Sequence, residues 1–135
     1  MVTAMASGAL LLTVRRSART ISGMAADSAV VQGTLDLMVL KALSLEPTHG
    51  WGIGERIRRM SGEAFRVNAG SLYVALDRLQ ARGLVTSAWA VTENNRRARY
   101  YRLTRAGEKR LVREQEQWRR VSAGIEMLLR ASAAT

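Results

Sequence analysis

The spacing of apolar residues changes at Gly83, and this change constrains the fold more than any other feature of the sequence. Before it, Leu72, Leu76 and Leu79 recur at i, i+4 and i+7, which places them on one face of an α-helix. After it, residues 84–91 follow the two-residue alternation of a strand. Gly83 suits the left-handed C-cap of a helix. The sequence therefore predicts a helix that stops abruptly and leads into a strand.

Two further helices are predicted upstream. The first begins near Val31 and ends at Glu46-Pro47, because proline disfavours helical geometry in the residue before it. Its core face is predicted to carry Val31, Leu35, Met38, Val39 and Ala42, with Leu37 and Leu40 on a second apolar edge.

The second helix is predicted to start at an N-cap provided by Thr48. Its buried face would hold Ile53, Ile57 and Met60, while Glu55, Arg56, Arg58 and Arg59 stay in solvent. Gly52 and Gly54 are costly in a helix interior, so we expect close packing against a neighbouring element at both positions.

The third helix has Asn68 as its predicted N-cap, and a hairpin follows it. The second strand of the hairpin covers residues 99–103, and its tip contains Asn94-Asn95, residues that tolerate the positive φ of tight turns. Thr104 is the predicted N-cap of a last helix, residues 105–130.

Heptad spacing in the last helix predicts a dimerisation stripe. Trp118 and Ile125 follow Leu111 at seven-residue intervals, and Glu114 interrupts the pattern at one d position. The expected dimerisation residues are Leu111, Trp118, Val121, Ile125 and Leu128.

The order of elements, ααα-ββ-α, predicts a mainly α fold with a small β-hairpin wing: a winged helix-turn-helix domain plus a C-terminal dimerisation helix. Residues 1–27 are expected to form a flexible N-terminal extension, in which Met24 is an alternative translation start. Residues 28–104 would form the winged-helix domain, residues 105–130 the dimerisation helix and residues 131–135 a frayed tail.

Composition narrows the classes of partner. The formal net charge of +10, from 21 Lys plus Arg against 11 Asp plus Glu, favours a polyanion such as nucleic acid. With no cysteine and with His49 as the single histidine, we expect no metal site, no cofactor and no catalytic residues. The lack of cysteine suits a reducing cytoplasm, the expected location, and the apolar run near the N-terminus is too short to span a membrane.

Several sequence blocks resemble the PadR family of bacterial transcriptional regulators. They are TLDL in the first helix, HGWGI entering the second, GSLY starting the third and YYRLT leaving the hairpin, and the similarity extends over roughly residues 32–129. The resemblance implies a homodimeric winged-helix protein that binds a pseudo-palindromic operator, most often as a repressor, and dimerises through its last helix. One departure is Val74, which stands where the family pattern usually has proline.

The resemblance and the charge pattern together define candidate DNA-binding residues. Tyr73 matches a family tyrosine associated with the DNA backbone, and the arginines of NNRRAR match a basic wing. Phosphate contacts would provide affinity, whereas side chains on the third helix would discriminate sequence. The full set is Asn68, Ser71, Tyr73, Val74, Arg78, Arg96, Arg97 and Arg99.

Each candidate has a structural alternative. Tyr73 could be a partly buried helix aromatic, the wing arginines a solvated charge run, and Asn68 an ordinary cap, which is the favoured reading for Asn68. Trp118 is expected first in core or dimer packing, with binding of a small hydrophobic or aromatic effector, as in some family members, as its alternative. Trp51 and Trp89 are likewise expected to serve in packing, and His49 to have a structural or capping role.

The alternative at the level of function is a winged-helix module that binds nucleic acid without sequence preference, through charge alone. A winged helix that binds only proteins is a third reading. A winged helix that discriminates sequence must also present side chains to the base edges, which charge alone does not provide.

Overall fold

The computed structural model describes residues 28–133, and the side chains of residues 33–133. The fold is mostly helical, with a small antiparallel sheet and a long C-terminal helix, as predicted. In chain order its elements are α1 (Ser28–Leu45), β1 (Thr48–His49), α2 (Gly50–Met60), α3 (Ala69–Ala81), β2 (Val85–Val91), β3 (Arg97–Leu103) and α4 (Arg105–Arg130). The expected N-terminal extension, residues 1–27, lies outside the described residues, as does the end of the expected frayed tail.

Helix α1 ends two residues before Pro47, as the sequence predicted. Leu35, Val39 and Ala42 are buried on its core face, and Leu40 on the second apolar edge is also buried, whereas Met38 is only partly covered. The side chain of Val31 lies outside the described part of the chain. Because α1 contacts α2, α3, α4 and β3, it is the central element of the core.

The end of α1 is capped from α2. The Nη1 atom of Arg56 donates hydrogen bonds to the carbonyl oxygens of Ala42, at 2.7 Å, and Glu46, at 2.8 Å. The prediction that Arg56 stays in solvent is therefore wrong. Carbonyl groups in the last turn of a helix lack partners within the helix, and a guanidinium satisfies them well.

The N-cap of α2 is His49 rather than Thr48. The Nδ1 atom of His49 accepts a hydrogen bond from the Gly52 amide at 3.1 Å. Thr48 lies in β1, opposite Tyr101 of β3, and is buried. Pairing with β3 holds Thr48 in the sheet, so the helix starts one residue later than predicted. Ile53 and Ile57 are buried as expected.

The predicted close packing of the α2 glycines is found at Gly52 but not at Gly54. A side chain added at Gly52 would collide with Thr48, while the space beside Gly54 is open. Met60, predicted on the buried face of α2, is half exposed.

Helix α3 has the predicted caps and core face. The Asn68 Oδ1 atom accepts a hydrogen bond from the Ser71 amide at 2.8 Å. Gly83 has a φ of +75°, and the following residue, Leu84, donates its amide to the Leu79 carbonyl at 2.9 Å. These are the features of a left-handed C-cap. The three leucines of the predicted face, Leu72, Leu76 and Leu79, are all buried, and Ala75 is buried beside them.

The hairpin joins a third strand that the sequence analysis missed. Strands β2 and β3 pair antiparallel from Val85↔Leu103 to Val91↔Arg97, and Asn95 at the tip has a φ of 61°. Strand β3 begins at Arg97, two residues earlier than predicted. The two-residue strand β1 pairs with its other edge, so the sheet order is β1-β3-β2.

Helix α4 starts at the predicted N-cap, Thr104, whose Oγ1 accepts a hydrogen bond from the Gly107 amide at 3.0 Å. A side chain at Gly107 would collide with the Leu84 carbonyl oxygen, so the first turn of α4 lies directly on the start of β2. Leu111 is only 7% exposed and belongs to the core cluster. Its assignment to the dimerisation stripe is therefore wrong.

Candidate nucleic-acid interface

The outward face of α3 is held in a fixed orientation by the core. Four residues on one side of this 13-residue helix are buried, whereas Ser71, Val74 and Asp77 on the other side are exposed. Val74 is 59% exposed, and the helix runs through it without a break. A rigid helix with a free outward face has the shape that enters a major groove.

Arg78 is not freely presented on this face. Its guanidinium forms an ion pair with Asp36 of α1, and the two side chains are only 20% and 16% exposed. The prediction that Arg78 lies free for base contact is therefore corrected. The pair links the edge of α3 to the central helix α1.

Tyr73 has features of both roles that the sequence left open, a partly buried helix aromatic and a residue available to the DNA backbone. Its ring packs on Gly50 at the start of α2, where a side chain on residue 50 would overlap the tyrosine hydroxyl. The residue is nevertheless 45% exposed. Tyr73 is therefore anchored between α2 and α3 while part of it faces solvent.

Asn68 acts as a cap. Because its Oδ1 atom accepts the Ser71 amide, this oxygen is used within the protein, and the structural reading of Asn68 is the one that the geometry supports.

The turn between α2 and α3 is stabilised by a chain of charged groups. Arg58 pairs with Glu55 at 2.8 Å and also with Glu63, and Arg66 pairs with Glu63 at 3.2 Å. Gly62 and Glu63 both have positive φ, so the backbone turns sharply here. The hydrogen bond from Arg58 lowers the pKa of Glu55. This turn sets the orientation of α3 relative to α2.

The wing continues the surface of α3. The Ser87 Oγ donates a hydrogen bond to Oε1 of Gln80 on α3 at 2.9 Å. Side chains alternate between the faces of a strand, so Trp89, two residues further along β2, lies on the same face as Ser87. Trp89 is paired with Arg99, and Arg97 lies two residues from Arg99 on that face.

Trp89 is in direct contact with Arg97 and Arg99 of β3. The guanidinium carbons of Arg97 and Arg99 lie 4.9 Å and 5.2 Å from the centroid of the Trp89 ring. Trp89 is 56% exposed, so the expectation that it is a packing residue needs correction: it packs against charged side chains at the surface. The register of the hairpin, once its turn is known, is the signal that could have revealed this contact.

Arg96 lies in the tip between the two strands. Its carbonyl oxygen accepts a hydrogen bond from the Thr92 amide at 2.7 Å, and its side chain is exposed. Of the three arginines in NNRRAR, one therefore lies at the tip and two lie on the face that adjoins α3.

Tyr101 lies at the junction of the sheet and α3. It is buried, and burial raises the pKa of its hydroxyl, an effect that the positive charge of Arg99 opposes. Tyr73 and Asp77 of α3 lie within electrostatic range of this hydroxyl, so the root of the wing lies near α3.

The second half of α4 carries an exposed apolar stripe. Trp118, Val121, Ile125 and Leu128 are all exposed at heptad spacing. Glu114, which interrupts the heptads, pairs with Arg110 at 3.5 Å. The stripe thus begins beyond the part of α4 that packs on the core.

A cavity of about 340 Å³ lies beside Trp118, between α1, α2 and α4. Its walls are mainly apolar and include Leu37, Met38, Ile57, Met60, Phe65 and Trp118.

In the described part of the chain, no helix is both long enough and apolar enough to cross a membrane.

A helix-turn-helix followed by a basic hairpin defines a winged-helix DNA-binding protein. The chain belongs to the PadR-like family of transcriptional regulators, whose family model matches residues 39–113.

Solved structures are similar along most of the chain. A transcriptional regulator from Clostridium thermocellum is 29% identical, with a TM-score of 0.66 over 74% of this chain and 94% of that one. A PadR family regulator from Clostridium difficile is 24% identical, with a TM-score of 0.62 over 70% of this chain and 97% of that one, and its likeness shows the fold alone.

A 37.1 kDa protein of a Streptomyces fradiae transposon is 39% identical over 89 residues, which are 66% of this chain and 24% of that protein. The chain therefore spans about a quarter of the length of that relative.

Proposed function

We propose that the protein is a sequence-specific transcriptional repressor that binds a pseudo-palindromic operator as a homodimer. In this proposal residues 28–104 bind DNA and residues 105–130 form the dimer. The observation that carries it is the continuity of α3 and the wing, which are joined through Ser87 and Gln80. One surface thus combines α3, a helix that fits a DNA major groove, with the adjacent guanidinium groups of Arg97 and Arg99.

Within this surface the roles follow from chemistry. Ser71 and Val74 lie on the exposed face of α3, so they would contact base edges in the major groove. Arg96, Arg97 and Arg99 would bind phosphates, and Tyr73 would contact the backbone beside them. Arg78 would act through Asp36 to hold α3 in place, because its charge is already paired.

The experiment that tests the proposal is a competition assay with labelled duplex DNA at moderate salt. Fragments from the promoter region of the protein's own gene are expected to displace the probe at far lower concentration than random duplex of equal length. Equal displacement by both would favour a module that binds nucleic acid through charge alone. Failure to retard any duplex at low salt would refute DNA binding altogether.

The cavity beside Trp118 supports control by a small hydrophobic or aromatic effector. Its volume of about 340 Å³ and apolar walls suit a planar compound of modest size. Titration with planar dyes is expected to quench tryptophan fluorescence and to do so less in Trp118→Ala. An unchanged response in that variant would exclude Trp118 from the site.

A further inference from the structure

The two arginines beside Trp89 have no carboxylate partner in the part of the chain that the structure describes. Within residues 28–133, neither Arg97 nor Arg99 forms an ion pair with an acidic side chain. They lie two positions apart on one face of β3, roughly 7 Å along the strand, so the two charges repel each other. Arg99 also interacts with the hydroxyl of Tyr101, so only a group that contacts both arginines would hold them together.

The indole ring of Trp89 provides that group. Both guanidinium carbons lie within about 6 Å of the ring centroid, the range in which a cation is attracted to the face of an aromatic ring. Tryptophan is the aromatic side chain that attracts cations most strongly. An exposed tryptophan on a hairpin otherwise costs solubility, and this contact gives it a physical reason.

We propose that Trp89 is a positioning residue of the DNA interface, whose ring holds the guanidinium groups of Arg97 and Arg99 together on the face of the wing that adjoins α3. This inference rests on the proposed function. With the ring in place, both side chains are partly ordered before DNA arrives, so less side-chain entropy is lost on binding. Without it, Arg97 would lose its aromatic neighbour, and Arg99 would keep only its interaction with the Tyr101 hydroxyl.

The arrangement also keeps the arginines beside the recognition helix. Ser87, on the same face of β2 as Trp89, is hydrogen-bonded to Gln80 of α3, and Tyr101, on the same face as Arg99, is buried next to α3. The side chains of Trp89, Arg97 and Arg99 therefore continue the surface of α3 along the hairpin.

The test is a double-mutant cycle on operator binding. Trp89→Leu keeps an apolar side chain but removes the aromatic face, and is expected to weaken binding by about 4- to 25-fold per wing, from two contacts worth a factor of roughly 2 to 5 each. In a protein that already carries Arg97→Ala and Arg99→Ala, the same change is expected to have almost no effect. Trp89→Phe is expected to retain most of the wild-type affinity.

Trp51→Leu is the matched control, because Trp51 is also exposed and has no cation–π contact with an arginine within the described residues. The effect of Trp51→Leu on operator affinity is expected to be the same in the wild type and in the protein that carries Arg97→Ala and Arg99→Ala. A loss from Trp89→Leu that persists without the arginines would overturn the inference, since Trp89 would then contact DNA directly. Unchanged affinity in Trp89→Leu, or equal losses in Trp89→Leu and Trp89→Phe, would also overturn it.

A measurement without DNA separates this inference from the proposed function. Ring currents of Trp89 are expected to shift the side-chain proton resonances of Arg97 and Arg99 upfield in the wild type and in Trp89→Phe, but not in Trp89→Leu. Ordinary shifts in the wild type would refute the stacked arrangement even if the protein binds its operator. Upfield shifts in a protein that binds no duplex would retain the arrangement and refute its role in DNA binding.

Discussion

Polar side chains determine where the helices of the DNA-binding domain begin. His49, Asn68 and Thr104 each accept a hydrogen bond from the backbone amide three residues further on. Such caps contribute about 1 kcal/mol each to stability. Their larger consequence is geometric, because they define the starts of α2, α3 and α4.

The ion pair between Asp36 and Arg78 has a related role. It joins the middle of α1 to the edge of α3, and both side chains are mostly covered. Removing one partner would leave the other charge partly buried without a counterion, which costs more than the loss of an exposed pair. The pair therefore contributes to the orientation of the helix that would enter the groove.

We expect Asp36→Ala to lower the free energy of unfolding by about 1–3 kcal/mol, because Arg78 then lacks its partner in a partly buried site. Urea unfolding followed by circular dichroism would measure the change. Glu126→Ala is the matched control: it removes an exposed partner of Arg130 on α4, a contact of 3.5 Å, and is expected to change stability by less than about 0.5 kcal/mol. Equal effects of the two changes would contradict a structural role for Asp36.

Helix α3 and the wing are expected to contribute differently to DNA binding. The outward face of α3 contains few charges, with Ser71, Val74 and Asp77 exposed, whereas the wing carries four arginines, at positions 96, 97, 99 and 102. Charged contacts to phosphate do not depend on base sequence, while contacts to base edges do.

Arg96→Ala is therefore expected to weaken binding by a similar factor on every duplex and to reduce the slope of log K against log salt by about one for each phosphate that the arginine no longer neutralises. Val74→Ala is expected to change which operator variants are preferred, with the salt slope unchanged. Fluorescence anisotropy across a set of operator variants and salt concentrations would measure both. A uniform loss from both substitutions would argue against this division of roles.

Helix α4 has two parts with different surroundings. Its first turns pack on the core through Gly107 and Leu111, and its later turns expose Trp118, Val121, Ile125 and Leu128. The heptad spacing runs through both parts, which is why spacing alone predicts Leu111 in the dimer interface. In the fold, the heptad residues that are exposed to solvent lie beyond Glu114.

The assembled molecule has an apolar stripe that a second copy of the chain would cover. Exposed tryptophan, valine, isoleucine and leucine at a and d positions are typical of a helix that pairs with another helix. A dimer would also place two α3 helices to read two half-sites, about one DNA turn or a small multiple apart.

Ile125→Asp is expected to shift the protein from dimer to monomer and to weaken operator binding by at least about 10-fold, because a buried unpaired carboxylate is costly. Sedimentation velocity would measure the oligomeric state. Met127→Asp is the control, since Met127 is exposed on the same helix but lies off the stripe, and it is expected to leave the dimer intact. An intact dimer in Ile125→Asp would rule out the stripe as the interface.

Local patterns in the sequence predicted most of the elements of this protein. The leucines of α3, its Asn68 cap, the left-handed Gly83 and the start of α4 at Thr104 all appear in the fold. Each depends on residues within a few positions of one another, and such short-range spacing is visible in a single sequence.

Contacts between distant residues were decided only by the tertiary structure. Asp36 and Arg78 are 42 positions apart, and β1, which shifts the start of α2 from Thr48 to His49, exists because it pairs with β3. The burial of Leu111 likewise depends on which side of α4 meets the core. Spacing along the chain shows which residues share a face, but only packing determines what that face meets.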